Sequence, residues 1–235
     1  TFENNRPHLW KYDAGDTAYG SWTGGVFIKG ICSGASPYAA SGIIISGNSF
    51  RRQTGNCIWM HSDAFDVKHS DITITGNTGE YVARDFTMVG NVQNISVVGN
   101  SVSYVGYVHT TDIDAPAAAY STSSGIYGVA YDNAGYSTGT QSGNSAKNVY
   151  GGGMDLDGVR DSVIASNYIS CNASFGKGIQ TGDSSANGGA TNVVIEGNFL
   201  EGCLYGAIVL ANASDCTVRG NRIEHSNYAT QPILL

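Results

Sequence analysis

Short segments with alternating apolar and polar residues recur along this chain, and each ends in Gly-Asn or Ser-Asn. They span residues 42–48, 71–77, 94–100, 161–167, 192–198 and 215–221. The residue three positions before each asparagine is apolar, and the residue two positions after it is apolar in every copy except at Gly79. Alternation with a period of two is typical of β-strands that bury one face, and the 3.6-residue period of an amphipathic helix is absent from these segments.

The closing asparagines are regularly spaced. They are Asn48, Asn77, Asn100, Asn167, Asn198 and Asn221, at intervals of 29, 23, 67, 31 and 23 residues. The interval of 67 predicts one period that carries a long loop insertion at about residues 106–150. A further strand is predicted before each segment, at residues 26–29, 58–61, 86–89, 154–157, 179–182 and 208–211. Each period therefore holds three short strands.

A repeat of this length cannot bury its own apolar face, so neighbouring copies must stack. We predict an all-β fold, a single-stranded right-handed parallel β-helix with three short sheets and about seven coils. The asparagines are expected to form an internal ladder, one per coil. The β-helix is predicted to span residues 26–235, with residues 1–25 as an irregular segment or an incomplete first coil.

Composition narrows the classes of partner. The 235-residue chain has 12 basic and 19 acidic residues, a net charge of −7 and no basic run, which argues against nucleic acid. No run of about 18 apolar residues exists, so no membrane span is expected. Five cysteines at irregular spacing, without a Cys-x-x-Cys pair, favour buried free thiols over a disulfide framework or a metal site.

The repeat with its stacked asparagines resembles the pectate-lyase-like β-helix superfamily. That superfamily includes polysaccharide lyases, polygalacturonase-type hydrolases, alginate epimerases and phage tailspike depolymerases. The resemblance implies a groove over the first sheet that binds an extended polysaccharide. It also implies a secreted, extracellular or virion-associated protein, a homotrimer if tailspike-like, and no required cofactor, with Ca²⁺ as the cation to consider.

Strand alternation predicts which side chains of the first sheet point outward into that groove. The inward set is expected to include Ile58, Met60, Phe86, Met88 and Met154. The outward pairs are Phe27 and Lys29, Trp59 and His61, Thr87 and Val89, Asp155 and Asp157, Gln180 and Gly182, and Val209 and Ala211.

Two aspartates make this set of outward residues a candidate catalytic site. Asp155 and Asp157 are two residues apart on one strand face, so their Cα atoms lie about 6.6 Å apart. Paired carboxylates at such a distance suit glycoside hydrolysis, with one as acid and the other as base or nucleophile. Their mutual repulsion is expected to raise the pKa of one of them. His61 is a candidate proton carrier. A cation site and a solvated Asp-x-Asp surface are the alternatives.

Other residues are candidates for contact with a sugar. Trp59 offers an aromatic platform, Gln180 belongs to the same set of outward residues, and Lys29 is either a lyase base or a surface lysine. Tyrosines of the predicted insertion could stack on a sugar ring, pack the loop or face a partner subunit. The remaining candidates are Asp63 and Asp66 in the turn after the strand, and Tyr127, Tyr131 and Tyr150 in the insertion.

The leading hypothesis is a polysaccharide-cleaving glycoside hydrolase that resembles a phage tailspike depolymerase. The alternative enzyme is a polysaccharide lyase or uronate epimerase, with His61 or Lys29 as the base and a cation that neutralises the substrate carboxylate. A second class is a non-catalytic module, either a carbohydrate-binding or adhesin β-helix or a structural shaft.

Overall fold

The structure is a computed structural model, and it describes thirteen stretches of the chain. These are residues 24–30, 39–53, 56–62, 68–82, 84–109, 116–119, 124–129, 137–149, 151–156, 158–171, 176–181, 189–225 and 233–234. Within them the chain forms strands and turns and contains no helix.

Twenty-four short strands make up the described structure. In chain order they begin with β1 Gly24–Gly30, β2 Ser41–Ser46, β3 Ser49–Gln53, β4 Asn56–Ser62, β5 His69–Thr75, β6 Thr78–Val82, β7 Thr87–Gly90, β8 Val92–Val98, β9 Ser101–Val105, β10 Tyr107–His109, β11 Pro116–Ala119 and β12 Ser124–Val129. They continue with β13 Ser137–Ser142, β14 Ser145–Val149, β15 Gly152–Asp155, β16 Val159–Ala165, β17 Tyr168–Cys171, β18 Lys177–Thr181, β19 Thr191–Glu196, β20 Phe199–Glu201, β21 Ile208–Leu210, β22 Thr217–Arg219, β23 Arg222–Glu224 and β24 Ile233–Leu234.

All of these strands except β10 and β11 form three long sheets in which every neighbouring pair is parallel. Sheet 1 has the order β1-β4-β7-β12-β15-β18-β21-β24, sheet 2 the order β2-β5-β8-β13-β16-β19-β22, and sheet 3 the order β23-β20-β17-β14-β9-β6-β3. The chain passes from sheet 1 to sheet 2 to sheet 3 and then returns to sheet 1, seven times in succession. The predicted all-β parallel β-helix, with three sheets and about seven coils, is confirmed.

A ladder of seven asparagines stands at the bend between sheets 2 and 3. Asn144 joins the six found by pattern, so the spacing along the ladder is 29, 23, 44, 23, 31 and 23 residues. In each step the backbone N–H and the side-chain Nδ2 of one asparagine both donate to Oδ1 of the next, as Asn77 does to Asn100 at 3.0 Å. The Nδ2 group also donates to a backbone carbonyl of the preceding coil, as Asn77 does to Ile45 at 2.9 Å. The polar groups at this bend therefore find their hydrogen-bond partners inside the stack.

The predicted insertion at about residues 106–150 is wrong over much of its length. Strands β12, β13 and β14 lie in sheets 1, 2 and 3 and form one further coil of the stack. The pattern is hidden because β13 lacks aliphatic residues at its core positions. Gly139 pairs with Ile95 of the previous coil, and a Cβ at residue 139 would lie 1.9 Å from the Ile95 carbonyl oxygen. Within the described residues, the short antiparallel pair β10–β11 is the part of the predicted insertion that lies outside the three long sheets.

The core is one continuous apolar column, and where one coil has a small residue a larger side chain nearby fills the space. Gly79, the exception in the apolar pattern, stands between Phe50 and Val102 in the register of sheet 3. A Cβ on Gly79 would lie 2.7 Å from the ring of Phe86. Phe86 thus fills the volume that a side chain at residue 79 would take, and its ring meets Phe50 edge-on with centroids 6.0 Å apart.

The inward and outward assignment of β7 differs from the prediction by one residue. Thr87 and Val89 are fully buried, whereas Met88 is half-buried and pairs with Trp59 on the outward side. The reason is an irregular start, because the successive amides of Cys57 and Ile58 bond to the carbonyls of Asp85 and Phe86. Such an irregularity places two neighbouring residues inside and reverses the alternation that follows.

A second polar ladder runs along the outside, near the start of the sheet 2 strands. Its aspartates and asparagines adopt positive φ angles, which these residue types tolerate. Asn94 donates to Asp71, and Asn192 donates to Asp161, each at 2.7 Å. The hydrogen bonds from Asn94 and Ser70 lower the pKa of the Asp71 carboxyl. Four of the six residues that begin a repeat segment therefore have a structural role.

Candidate functional site

One row of paired strand positions crosses the coils on the outward side of sheet 1, and it is here called the outer row. Register places Phe27, Trp59, Met88 and Gly128 in succession at one end of it. Asp155, Gln180 and Val209 follow in succession toward the other end. The residues that flank the row in sequence, such as Met154 and Leu156 beside Asp155, are fully buried in the core. The predicted outward positions of Trp59, Asp155 and Gln180 therefore agree with the structure.

Asp155 is the carboxylate of the outer row. It ends β15, and only 7% of its surface is exposed. The side-chain amide of Gln180, on the neighbouring strand β18, donates to Asp155 Oδ2 at 3.5 Å, the long end of the hydrogen-bonding range. A carboxylate that is enclosed on a sheet face and held by a neighbouring amide donor is a candidate to accept or deliver a proton.

Trp59 lies on the same row but in a different coil. It is 5% exposed and stands between core residues Ile58 and Met60. Three strand steps, β4 to β7 to β12 to β15, separate it from Asp155, or about 14 Å at about 4.8 Å per step. A small molecule cannot contact both residues, whereas an extended polymer lying across the strands could.

Lys29 and His61 occupy directly neighbouring positions of β1 and β4. His61 also pairs with Gly90 of β7 in register. Adjacent strands of a sheet hold paired Cα atoms about 4.8 Å apart. The backbone thus brings the two basic candidates together on the first two strands of sheet 1, and three strand steps separate His61 from the strand of Asp155.

The tyrosine and aspartate candidates are only partly placed. Tyr127 belongs to strand β12, not to a loop, and pairs in register with Met154. Five candidates lie outside the described residues: Asp157, Asp63, Asp66, Tyr131 and Tyr150. The predicted pairing of Asp155 with Asp157 therefore stays a prediction.

In the part of the chain that the structure describes, no group of three or more His, Cys, Asp or Glu side chains is arranged to hold a metal ion. Over the same stretches, no helix long and apolar enough to cross a membrane occurs.

The outer face of sheet 3 holds a cluster that sequence reasoning missed. The Tyr168 hydroxyl donates to Glu201 Oε2 at 2.7 Å, and this bond raises the pKa of Tyr168. The Phe199 ring lies beside that of Tyr168 with centroids 5.3 Å apart, and the Arg222 guanidinium lies over Phe199 at 4.8 Å. Arg222 also pairs with Glu224.

A signal for this cluster exists in the repeat. Tyr168, Phe199 and Arg222 each follow a ladder asparagine directly, so the asparagine alignment alone places them in one row. These side chains contact one another and the carboxylates of Glu201 and Glu224, so the cluster is accounted for as a surface network. Exposed ion pairs of this kind contribute little to stability.

Comparison with protein-family models, with curated proteins and with solved structures finds no match. The class of this protein is therefore defined by its architecture, an all-β parallel β-helix with an internal asparagine ladder.

Proposed function

We propose that this protein is a glycoside hydrolase that binds an extended polysaccharide along the outer row of sheet 1. The observation that carries the proposal is Asp155, an outward carboxylate that is enclosed and oriented by Gln180. In this proposal Asp155 and Asp157 act as the acid and base pair, and Trp59 contacts the polymer about 14 Å away.

The resemblance to the pectate-lyase-like superfamily supports the same proposal, since that superfamily acts on polysaccharides along this sheet. Within it, the tailspike-like reading adds a homotrimer and a virion-associated or secreted location. Ca²⁺ would take part only as an ion that organises the carboxylates or the substrate. The catalytic step itself requires no cofactor.

The first experiment tests Asp155 on a panel of acidic and neutral polysaccharides, with release of reducing ends as the readout. Asp155→Asn keeps the size of the side chain and removes its acid-base capacity. We expect a loss of about 10²–10⁴-fold in rate, the usual worth of a positioned acid or base, with glycan binding retained. Asp157→Asn is expected to behave alike.

Asp215→Asn is the matched control. Asp215 is exposed, lies beside sheet 2, and adopts a positive φ angle that asparagine also tolerates. Its replacement should leave activity unchanged. Wild-type rates in Asp155→Asn would overturn the assignment of Asp155. A wild-type protein that binds a glycan and cleaves none would instead support the non-catalytic carbohydrate-binding class.

A second candidate is a lyase or epimerase that acts on uronic acids. The register pairing of Lys29 with His61 favours it, because it places two candidate bases at neighbouring positions of adjacent strands. Ultraviolet absorbance of an unsaturated uronate product distinguishes a lyase from a hydrolase. In that case His61→Gln abolishes cleavage while Asp155→Asn does not.

A further inference from the structure

Two cysteines from successive coils meet inside the stack. Cys171 ends β17, and Cys203 lies two residues after the end of β20, the neighbouring strand of sheet 3. Their sulfur atoms lie 3.5 Å apart, with Cys171 8% exposed and Cys203 fully buried. A disulfide holds its sulfur atoms about 2.0 Å apart, so the two atoms need to approach by about 1.5 Å.

The remaining contacts of the two thiols hold them in this arrangement. Cys171 Sγ lies 3.6 Å from the Lys177 carbonyl oxygen, and Cys203 Sγ lies 3.5 Å from the Glu201 carbonyl oxygen. Both are weak hydrogen bonds of a thiol to backbone, which a disulfide would forgo at little cost. Cys216, by contrast, is directed to the backbone carbonyls of Ala190 and Ser214.

We propose that Cys171 and Cys203 form a redox modification site, a reversible disulfide that joins two consecutive coils when the protein meets a small-molecule disulfide such as oxidised glutathione. The proposal does not depend on the proposed glycan chemistry.

The exchange proceeds in two steps that balance. The Cys171 thiolate, the more accessible of the two, attacks one sulfur of the small disulfide and releases one thiol. The Cys203 thiolate then attacks the Cys171 sulfur of the mixed disulfide and releases the second thiol. The protein loses two hydrogen atoms and two electrons, and the small disulfide is reduced to two thiols.

Burial makes this a slow reaction that needs local opening. The contact with Cys203 and the enclosure of the site raise the pKa of the Cys171 thiol. The thiolate is therefore scarce at neutral pH, and mildly alkaline incubation should shorten the reaction. Once formed, the bond closes a loop across two coils and constrains the unfolded chain.

The test uses the full chain under native conditions. After incubation with oxidised glutathione, remaining thiols are alkylated in denaturant and the protein is mapped by mass spectrometry. We expect one linked pair, Cys171 with Cys203, and a rise in Tm of roughly 5–10 °C that dithiothreitol reverses. Alkylation of both cysteines after prolonged oxidation, or linkage to other cysteines, would overturn the proposal.

Two variants separate the roles of the thiols. Cys203→Ser should trap glutathione on Cys171 as a stable mixed disulfide, while Cys57→Ser, which changes a buried thiol of sheet 1, should leave the linkage intact. Peptide mapping of the wild-type protein decides the question even if a variant folds poorly. An equal yield of the linked pair in denaturant and in buffer would show that the native contact does not direct it.

Discussion

Gln141 occupies a core position of β13 where the neighbouring coils carry aliphatic side chains. It pairs with Val97 on one side and Ile164 on the other, and it is fully buried. Among the residues that the structure describes, neither polar atom of its side-chain amide has a hydrogen-bond partner. A buried polar group left in this state costs about 1–3 kcal/mol.

Replacing Gln141 with valine should therefore stabilise the protein. Gln141→Val keeps the backbone carbonyl that accepts the bond from Asn167, at 2.9 Å, and removes the unpaired amide. We expect the free energy of unfolding to rise by about 1–3 kcal/mol, seen as a higher urea midpoint at an unchanged slope.

Gln53→Val is the matched control for this change. Gln53 is also buried, but its amide donates to the Arg51 carbonyl oxygen at 3.2 Å. Valine there removes a satisfied bond and should give no gain. Equal stabilisation by both variants would mean that general hydrophobicity, not the unpaired amide of Gln141, sets the effect.

The asparagine ladder ties each coil to the next. Asn144 Oδ1 accepts from the backbone N–H and the Nδ2 of Asn100, at 2.9 and 3.1 Å. Its own Nδ2 donates to the Val97 carbonyl oxygen at 2.8 Å and to Asn167 at 3.0 Å. Removing this side chain breaks all four bonds and leaves buried donors without acceptors.

Asn144→Ala should accordingly destabilise the fold by about 3–5 kcal/mol, at the upper end of single substitutions. Asn48→Ala is the comparison, since Asn48 is half-buried and its backbone N–H keeps its bond to Asn77. We expect a cost of about 1 kcal/mol there. Similar costs at the two positions, measured by denaturant unfolding, would contradict the idea that interior rungs depend on mutual satisfaction.

Sequence alternation located the ladder and most of sheet 1 because both follow from local periodicity. It failed at positions where packing between neighbouring coils determines which residue is buried. The ring of Phe86 fills the space that a side chain at residue 79 would occupy, and only glycine at residue 139 avoids the carbonyl oxygen of Ile95. Both contacts join different coils, so the sequence of one repeat does not reveal them. The outward direction of Asp155 was predictable, but its near-complete burial depends on packing that alternation does not encode.

Stacked coils share one continuous core, so protection from solvent depends on position along the stack. In the central coils Val97 and Val102 are almost completely buried, whereas Val218 and Ile223, in the outermost strands of sheets 2 and 3, are half-buried. Each coil contacts only its neighbours, so an outermost coil has fewer contacts to lose when it opens.

Amide hydrogen exchange should therefore show a gradient along this chain. We expect peptides from β22 and β23 to exchange about tenfold faster or more than peptides from β8 and β9, because local opening of an outermost coil costs less free energy than opening a central one. Exchange is followed by mass spectrometry in native buffer. Uniform rates across both regions would show that the stack opens as a single cooperative unit.

The seven ladder amides also share one orientation. From Asn77 to Asn221 each Oδ1 accepts from the ladder asparagine of the coil before it, and from Asn48 to Asn198 each Nδ2 donates to the ladder asparagine of the coil after it, so the side-chain dipoles add along the axis instead of cancelling. The ladder thus has a net dipole along the stack, with its negative end toward Asn48 and its positive end toward Asn221. Any extra coil grafted into this stack must carry its asparagine in the same sense, because a reversed one would set two acceptors face to face.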